Sequence, residues 1–234
     1  ACRNARDLVQ ASGFASGPPG KVGLRAQIQE RPRMLTLYDS RLSLNCYKVR
    51  LMLSLLGVPY TRQPVDIRKG EHRTPDLLMR NPFGQIPVLD TGSVALRDSQ
   101  AILVWLARRH GDARWMPTQP EDEALVNAWL STSAYELRLG PYEARLRKLA
   151  PALCVTGDTV DIQARNTARA LERFEHRLRD RQWLAMDHPT VADIAAFPSL
   201  AHASDGDVDL SACPGILGWL ERVRTLPGFV GLME

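Results

Sequence analysis

The sequence predicts an α/β domain followed by an all-helical one. Three observations predict it. Short strand-like and helix-like patterns alternate over residues 34–111 in the order βαβαββα. Beyond "DARWMPTQP" (112–120) the patterns are helical only. The chain has 234 residues and is 44% hydrophobic, enough to bury a sizeable core in one large domain or two small ones. The expected organisation is residues 34–112 as the α/β domain, 113–119 as a linker and 120–234 as the helical domain.

"MLTLY" (34–38) alternates as a strand. "CYKVRLMLSLLG" (46–57) places Val49, Leu51, Met52, Leu53, Leu55 and Leu56 at mixed spacings of three and four, a well-buried helix that stops at Gly57. "PYTRQPVDI" (59–67) is a second strand. "RTPDLLMRN" (73–81) is a short helix with Thr74 as N-cap and Pro75 at its first position, where the missing N–H is no loss. "IPVLD" and "SVALR", separated by Thr91-Gly92, form an antiparallel hairpin. "DSQAILVWLARRHG" (98–111) is a helix opened by Asp98 or Ser99 and closed by Gly111. Further helices are expected at about 120–139, 159–180, 190–203 and 213–225, with "TVAD" (190–193) resembling a capping box.

One position breaks the pattern. Pro87 stands just before the apolar pair Val88-Leu89, although proline donates no ladder hydrogen bond and is normally kept out of strand interiors. It is either an ordinary edge-strand proline or a placed one.

Charge and cysteine content exclude several classes. Residues 1–33 hold six basic side chains against two acidic ones, out of 30 and 26 in the whole chain, so the remainder carries 24 of each sign. The formal +4 belongs to that segment, and a nucleic-acid-binding body loses its electrostatic support. The segment is rich in Gly, Pro, Ala and Arg and lacks the apolar core of a secretory signal. Met34 directly before the first strand is a candidate translation start, and 1–33 is expected to be a disordered or non-native leader. No run of about 18 apolar residues is present, so no membrane span is expected. Cys2, Cys46, Cys154 and Cys213 are scattered without a C-x-x-C, as expected of reduced thiols in a cytoplasmic protein. His110, His176, His188 and His202 show no metal-ligand spacing, so no metal is expected. The Arg-rich, Lys-poor composition fits a GC-rich coding bias and a bacterial source.

"LYDSRLSLNCYKVRL" (37–51), "KGEH" (69–72), "NPFGQIPVLD" (81–90), "ALRDSQAI" (95–102) and "HPTVADIAAF" (188–197), in this order and spacing, resemble the cytosolic glutathione S-transferase family. The resemblance covers about residues 34–232 and is nearest to the serine-type theta-, nu- and zeta-like members, several of them bacterial. It implies a thioredoxin-like first domain and an all-α helical-bundle second domain. It also implies a reaction in which bound glutathione, as co-substrate, is held as a thiolate and added to an electrophile. In the family the proline of this motif follows a cis peptide bond, here Ile86–Pro87. The backbone of Ile86 would then pair with the cysteinyl backbone of glutathione like one more rung of a sheet.

A thiol with a pKa of about 8.5 must be lowered by roughly two units, about 2.7 kcal/mol, to be mostly thiolate at pH 7. A hydrogen bond to the charged sulfur is worth about 1.5–3 kcal/mol and a helix N-terminus about 0.3–1 kcal/mol. "SLNC" (43–46), where the first helix opens, has both. The resemblance makes Ser43 the principal donor and Asn45 the second. On the residues alone, Ser43 is equally an N-cap and Asn45 a polar helix-start residue. Tyr38 lies close to the position of the catalytic tyrosine of other classes. Cys46 is either a packed, inert thiol or a mixed-disulfide nucleophile.

The resemblance also implies the rest of the glutathione site. Asp98 and Ser99, at a helix N-terminus, would take the γ-glutamyl end, unless they are simply competing N-caps. His72 and Gln85 would take the glycyl carboxylate. Trp129, Tyr135 and Arg138 would face the electrophile, with Trp129 equally suited to a core. Arg138 favours anionic substrates beside hydrophobic ones. The family also implies a homodimer and a role in detoxification. Three alternatives stand beside transfer: glutathione-dependent reduction of peroxides or disulfides, cis-trans isomerisation, and a non-catalytic binding or interaction module on the same fold. "SLNC" departs from the "SSC" pattern of the zeta class, which disfavours a maleylacetoacetate isomerase.

Overall fold

A four-stranded mixed sheet carries the first half of the chain. The structure is a computed structural model that describes residues 34–154, 157 and 159–234. The expected leader, 1–33, lies outside the described residues. Strands β1 (Leu35–Asp39), β2 (Tyr60–Pro64), β3 (Val88–Asp90) and β4 (Ala95–Arg97) lie in the order β2-β1-β3-β4. β1 runs parallel to β2 with Leu37 opposite Arg62, and antiparallel to β3 with Leu37 opposite Leu89. The β3–β4 hairpin pairs Leu89 with Leu96. Helices α1 (Leu44–Leu55), α2 (Pro75–Arg80) and α3 (Ser99–His110) complete the predicted βαβαββα order.

β1 alternates in burial. Leu35, Leu37 and Asp39 are buried, while Thr36 and Tyr38 are half-buried on the other face. α1 and α3 press Leu44, Val49, Leu51, Met52, Ile102 and Leu103 into the core that holds Leu37. α2 covers the opposite face, where Tyr38 and Ile86 pack on a smaller cluster of Val65, Leu77 and Val88. Thr74 is the N-cap residue of α2 by backbone, but its hydroxyl donates to Glu71 O at 3.0 Å rather than capping the helix.

The second half is helical: α4 (Pro120–Thr132), α5 (Pro141–Leu149), α6 (Val160–Arg179), α7 (Val191–Ala201) and α8 (Pro214–Arg224). The helix expected over 120–139 runs as α4 and then as one π-helical turn, Ser133–Leu137. α5 is absent from the sequence expectation. Pro141 occupies its first position. α7 is buried from Val191 to Leu200, as a helix apolar on all sides must be. Its capping box is present: Thr190 N donates to Asp193 Oδ2 at 2.9 Å, and Ala192 N to Thr190 Oγ1 at 3.3 Å. Asp193, fully buried, also accepts from Leu184 N at 3.0 Å and Trp219 Nε1 at 2.9 Å.

Candidate active site

The loop leading into α1 is held from two sides. Arg50 of α1 donates through Nη2 to Arg41 O at 3.2 Å and Leu232 O at 2.5 Å, and through Nη1 to Asp39 at 2.6 Å. Arg145 of α5 donates to Leu42 O at 3.1 Å and to Asp205 at 2.9 Å. Both guanidiniums are buried. The loop delivers Ser43 to the N-cap of α1, where its Oγ accepts from Cys46 N at 3.3 Å. A hydroxyl that accepts one bond still has its proton to give. Ser43 therefore caps the helix and remains a donor, so its two readings are compatible.

Asn45, half-buried in the first turn of α1, accepts at Oδ1 from Lys48 Nζ at 3.0 Å. Its Nδ2 makes no hydrogen bond among the described residues. The N-cap of α3 is Asp98, whose Oδ1 accepts from Gln100 N at 2.9 Å and Ala101 N at 3.1 Å. Asp98 holds φ at +69°, a conformation a non-glycine residue rarely adopts. Ser99 follows as the first helical residue; the residue is largely buried, and its hydroxyl, which keeps some exposure, makes no hydrogen bond among the described residues.

Asn45, Lys48, Asp98, Ser99, Arg138 and Tyr142 are among the residues lining a cavity of about 90 Å³; Ser43 is not. Lys48 is 5% exposed. Burial pushes its pKa from the ordinary 10.5 down to about 8; Asp98 opposes this and Arg138 reinforces it. Arg138 pairs with Glu143 and lies 5.0 Å from the ring centre of Tyr142. Burial raises the Tyr142 phenol, with Arg138 and the Ser43 hydroxyl acting against that rise. A larger cavity, about 440 Å³, lies at the far end of α1 beside Arg50, Tyr60 and Val230 and contains none of these side chains.

The Ile86–Pro87 bond is cis. Neither the N–H nor the C=O of Ile86 is hydrogen-bonded among the described residues. Gly84, at φ +57°, lets this loop close on the 3₁₀ turn Glu71–Arg73: a Cβ there would meet Arg73 Cγ at 3.2 Å and His72 O at 3.6 Å. Asn81 Nδ2 fixes the same loop through Gln85 O at 2.6 Å. His72 and Gln85 thus belong to two segments in contact. His72 Nδ1 is buried without a partner, and burial with Arg73 nearby lowers its pKa, so the imidazole is neutral at pH 7.

The other expected residues lie elsewhere. Tyr38 packs on the α2 side of the sheet, with the Arg80 guanidinium 5.1 Å from its ring centre. Cys46 is fully buried, and burial foremost, then Asp39, push its thiol up to about 12, against the Ser43 hydroxyl. Trp129 packs edge-on against Phe174 with ring centres 5.2 Å apart, and Tyr135 is 60% exposed; neither lines the cavity. Lys48 and Tyr142 are additions. Lys48 carried a signal, a lysine three residues after Asn45 inside an apolar run. Tyr142 carried none while α5 went unseen. Among the described residues no group of three or more His, Cys, Asp or Glu is placed to hold a metal ion.

Known proteins share this architecture over most of the chain. The family model described as "Glutathione S-transferase, N-terminal domain" matches residues 42–109, and "Glutathione S-transferase, C-terminal domain" matches 139–227. A probable glutathione S-transferase of Oryza sativa subsp. japonica is 32% identical over 82% of this chain and 93% of its own length. The chain belongs to the glutathione S-transferase family. Among other family relatives, a protein of Rhizobium meliloti (strain 1021) named maleylacetoacetate isomerase is 34% identical, over 82% of this chain and 92% of its own. The crystal structure of a glutathione S-transferase from Pseudomonas fluorescens matches with a TM-score of 0.78 at 32% identity, covering 86% of this chain and 100% of that one. The first half is the thioredoxin-like part of the family fold, and the second its helical part.

Proposed function

We propose that this glutathione transferase binds glutathione across the cis-proline loop and the N-termini of α1 and α3. In this reading Ser43 is the chief stabiliser of its thiolate and Asn45 the second. The Ser43 hydroxyl carries the proposal, because it is anchored as an N-cap and, accepting one bond, still has a proton to give, which a bound thiolate would draw from its neighbours Tyr142 and Cys46. The thiol proton leaves to solvent, and Ser43 donates a hydrogen bond without losing its own. The sulfur lone pair forms the new bond to an electrophilic carbon, and the leaving group departs with the electron pair it gives up. Binding supplies orientation, so no general base has to remain at the sulfur.

The remaining assignments follow the chemistry of the tripeptide. The unpaired N–H and C=O of Ile86 suit the cysteinyl backbone. The free Ser99 hydroxyl and the N-terminus of α3 suit the γ-glutamyl carboxylate, with Asp98 as acceptor for its ammonium. Gln85 and the neutral imidazole of His72 suit the glycyl carboxylate. Arg138 and Tyr142 form the wall for a hydrophobic or anionic electrophile. Conjugation of glutathione to an activated aryl chloride tests the reading: turnover that falls at least tenfold in Ser43→Ala supports it, and undiminished turnover refutes it.

The Rhizobium meliloti relative favours a second reading, in which the same thiolate adds to a conjugated double bond and leaves again after rotation. Isomerisation of a cis-enedione acid with glutathione unconsumed would establish it. The proposal further includes a homodimer in the cytoplasm with a detoxifying role, and a two-domain division at residues 113–119. No helix among the described residues is long and apolar enough to cross a membrane. Exposed Met79 and Phe83 supply apolar surface for a second copy, and a monomer by light scattering at micromolar concentration would remove that part.

A further inference from the structure

Lys48 is hard to explain as a structural residue. Its ammonium is buried, yet it makes a single hydrogen bond, to Asn45 Oδ1 at 3.0 Å, and no ion pair among the described residues. A buried ammonium held by one neutral carbonyl is costly to keep, and an apolar side chain of similar volume would fill the space at less cost. The charged or titratable groups facing it come from three other segments: Asp98 at the start of α3, Arg138 after the π turn, and Tyr142 of α5. Lys48 thus borders the glutathione cleft without itself being closed by a carboxylate.

The chemistry of the contact is one-directional. An ammonium has three donors and no acceptor, whereas the asparagine amide has a carbonyl end and an NH₂ end of nearly equal shape. The atom that meets Lys48 must therefore be the carbonyl oxygen. The three-residue spacing places both side chains on one face of α1. With Oδ1 fixed towards Lys48, Nδ2 is the end left free, and its N–H groups are the donors a thiolate needs.

We propose that Lys48 is a positioning residue for the transfer reaction, holding the Asn45 amide so that Nδ2 meets the sulfur of bound glutathione. The inference rests on the reading of Asn45 as a thiolate donor. Without Lys48 the amide is free to rotate by half a turn and to present its oxygen, which repels a thiolate.

The test is a double-mutant cycle read by the pKa of enzyme-bound glutathione thiol, followed by ultraviolet absorbance. In Lys48→Met, whose apolar side chain fits the same space, the bound thiol pKa is expected to rise by about one unit. The thiolate fraction below it falls roughly tenfold, while glutathione affinity changes less than threefold. In an Asn45→Ala background the Lys48→Met change is expected to add nothing. Lys48→Arg, which keeps a donor and no acceptor, is expected to stay near wild type and covers a failure of Lys48→Met to fold. Additive effects of the two substitutions would overturn the proposal, since Lys48 would then act by its charge alone. A large loss of affinity with the thiol pKa unchanged would also overturn it and make Lys48 a carboxylate ligand. If Asn45→Ala leaves the thiol pKa unchanged, the underlying role of Asn45 fails with the proposal, and Ser43→Ala in the same assay shows whether the serine role survives.

Discussion

Arg145 of α5 donates to the carbonyl of Leu42 at 3.1 Å, tying the helical half of the molecule to the residue just before Ser43. The same guanidinium pairs with Asp205 at 2.9 Å, so one buried cation spans α5, the turn after α7 and the loop that opens α1. The position of Ser43 is thereby a property of both halves rather than of the α/β half alone.

Arg145→Met should therefore affect both folding and turnover. Loss of this charge-assisted contact, buried at Arg145 and partly exposed at Asp205, takes a donor from Asp205 and from Leu42 O and is expected to lower the unfolding free energy by about 1.5 kcal/mol. Urea denaturation measures this. Turnover of glutathione should fall even where the variant is fully folded, because the loop 40–42 loses one of its two anchors. Unchanged midpoint and unchanged kinetics together would refute the anchoring role.

Cys46 should be chemically silent. A fully buried thiol pushed up to about 12 holds almost no thiolate at neutral pH, and thiolate is the reactive form. Treatment of the native protein with iodoacetamide at pH 8, followed by peptide mass mapping, is expected to leave Cys46 unlabelled until the protein is denatured. Rapid labelling with loss of activity would revive the mixed-disulfide nucleophile.

Lys48 gives the protein a distinctive alkaline response. Its folded pKa, about 8, lies below its ordinary 10.5, so between these values the unfolded chain binds the extra proton and the folded one does not. Stability at this site therefore increases as pH rises from about 8 towards 10.5. Denaturation midpoints of wild type should gain on those of Lys48→Met between pH 8 and pH 10. A constant difference between the two would show that Lys48 titrates normally.

Much of the architecture was legible because local signals and global fold agree. Gly57 and Gly111 mark the ends of α1 and α3, "TVAD" caps α7 as expected, and the Thr91-Gly92 turn sets the β3–β4 hairpin. α5 was not expected because the helix expected at about 120–139 was followed by none before 159; Pro141 opens α5 at its first position, and Arg145 ties it to the loop before Ser43. Lys48 and Arg50 sit in the apolar run of α1, where sequence periodicity counts hydrophobes and passes over buried charge. What keeps Arg50 buried is Asp39 and a carbonyl 182 residues away, Leu232 O, which no local pattern encodes. Tyr142 reaches the cavity only because α5 packs beside it, whereas Asn45, Asp98 and Ser99, which line the same cavity, were expected together from the family resemblance, and Lys48 follows Asn45 on the same helix.

The central claim is that Ser43 lowers the pKa of bound glutathione thiol, and it is tested most directly by titrating thiolate absorbance against pH in wild type and Ser43→Ala. A bound thiol well below the free value of about 8.5 in wild type, returning upward by one to two units in the variant, is the predicted result. The same depressed value in both proteins would contradict it.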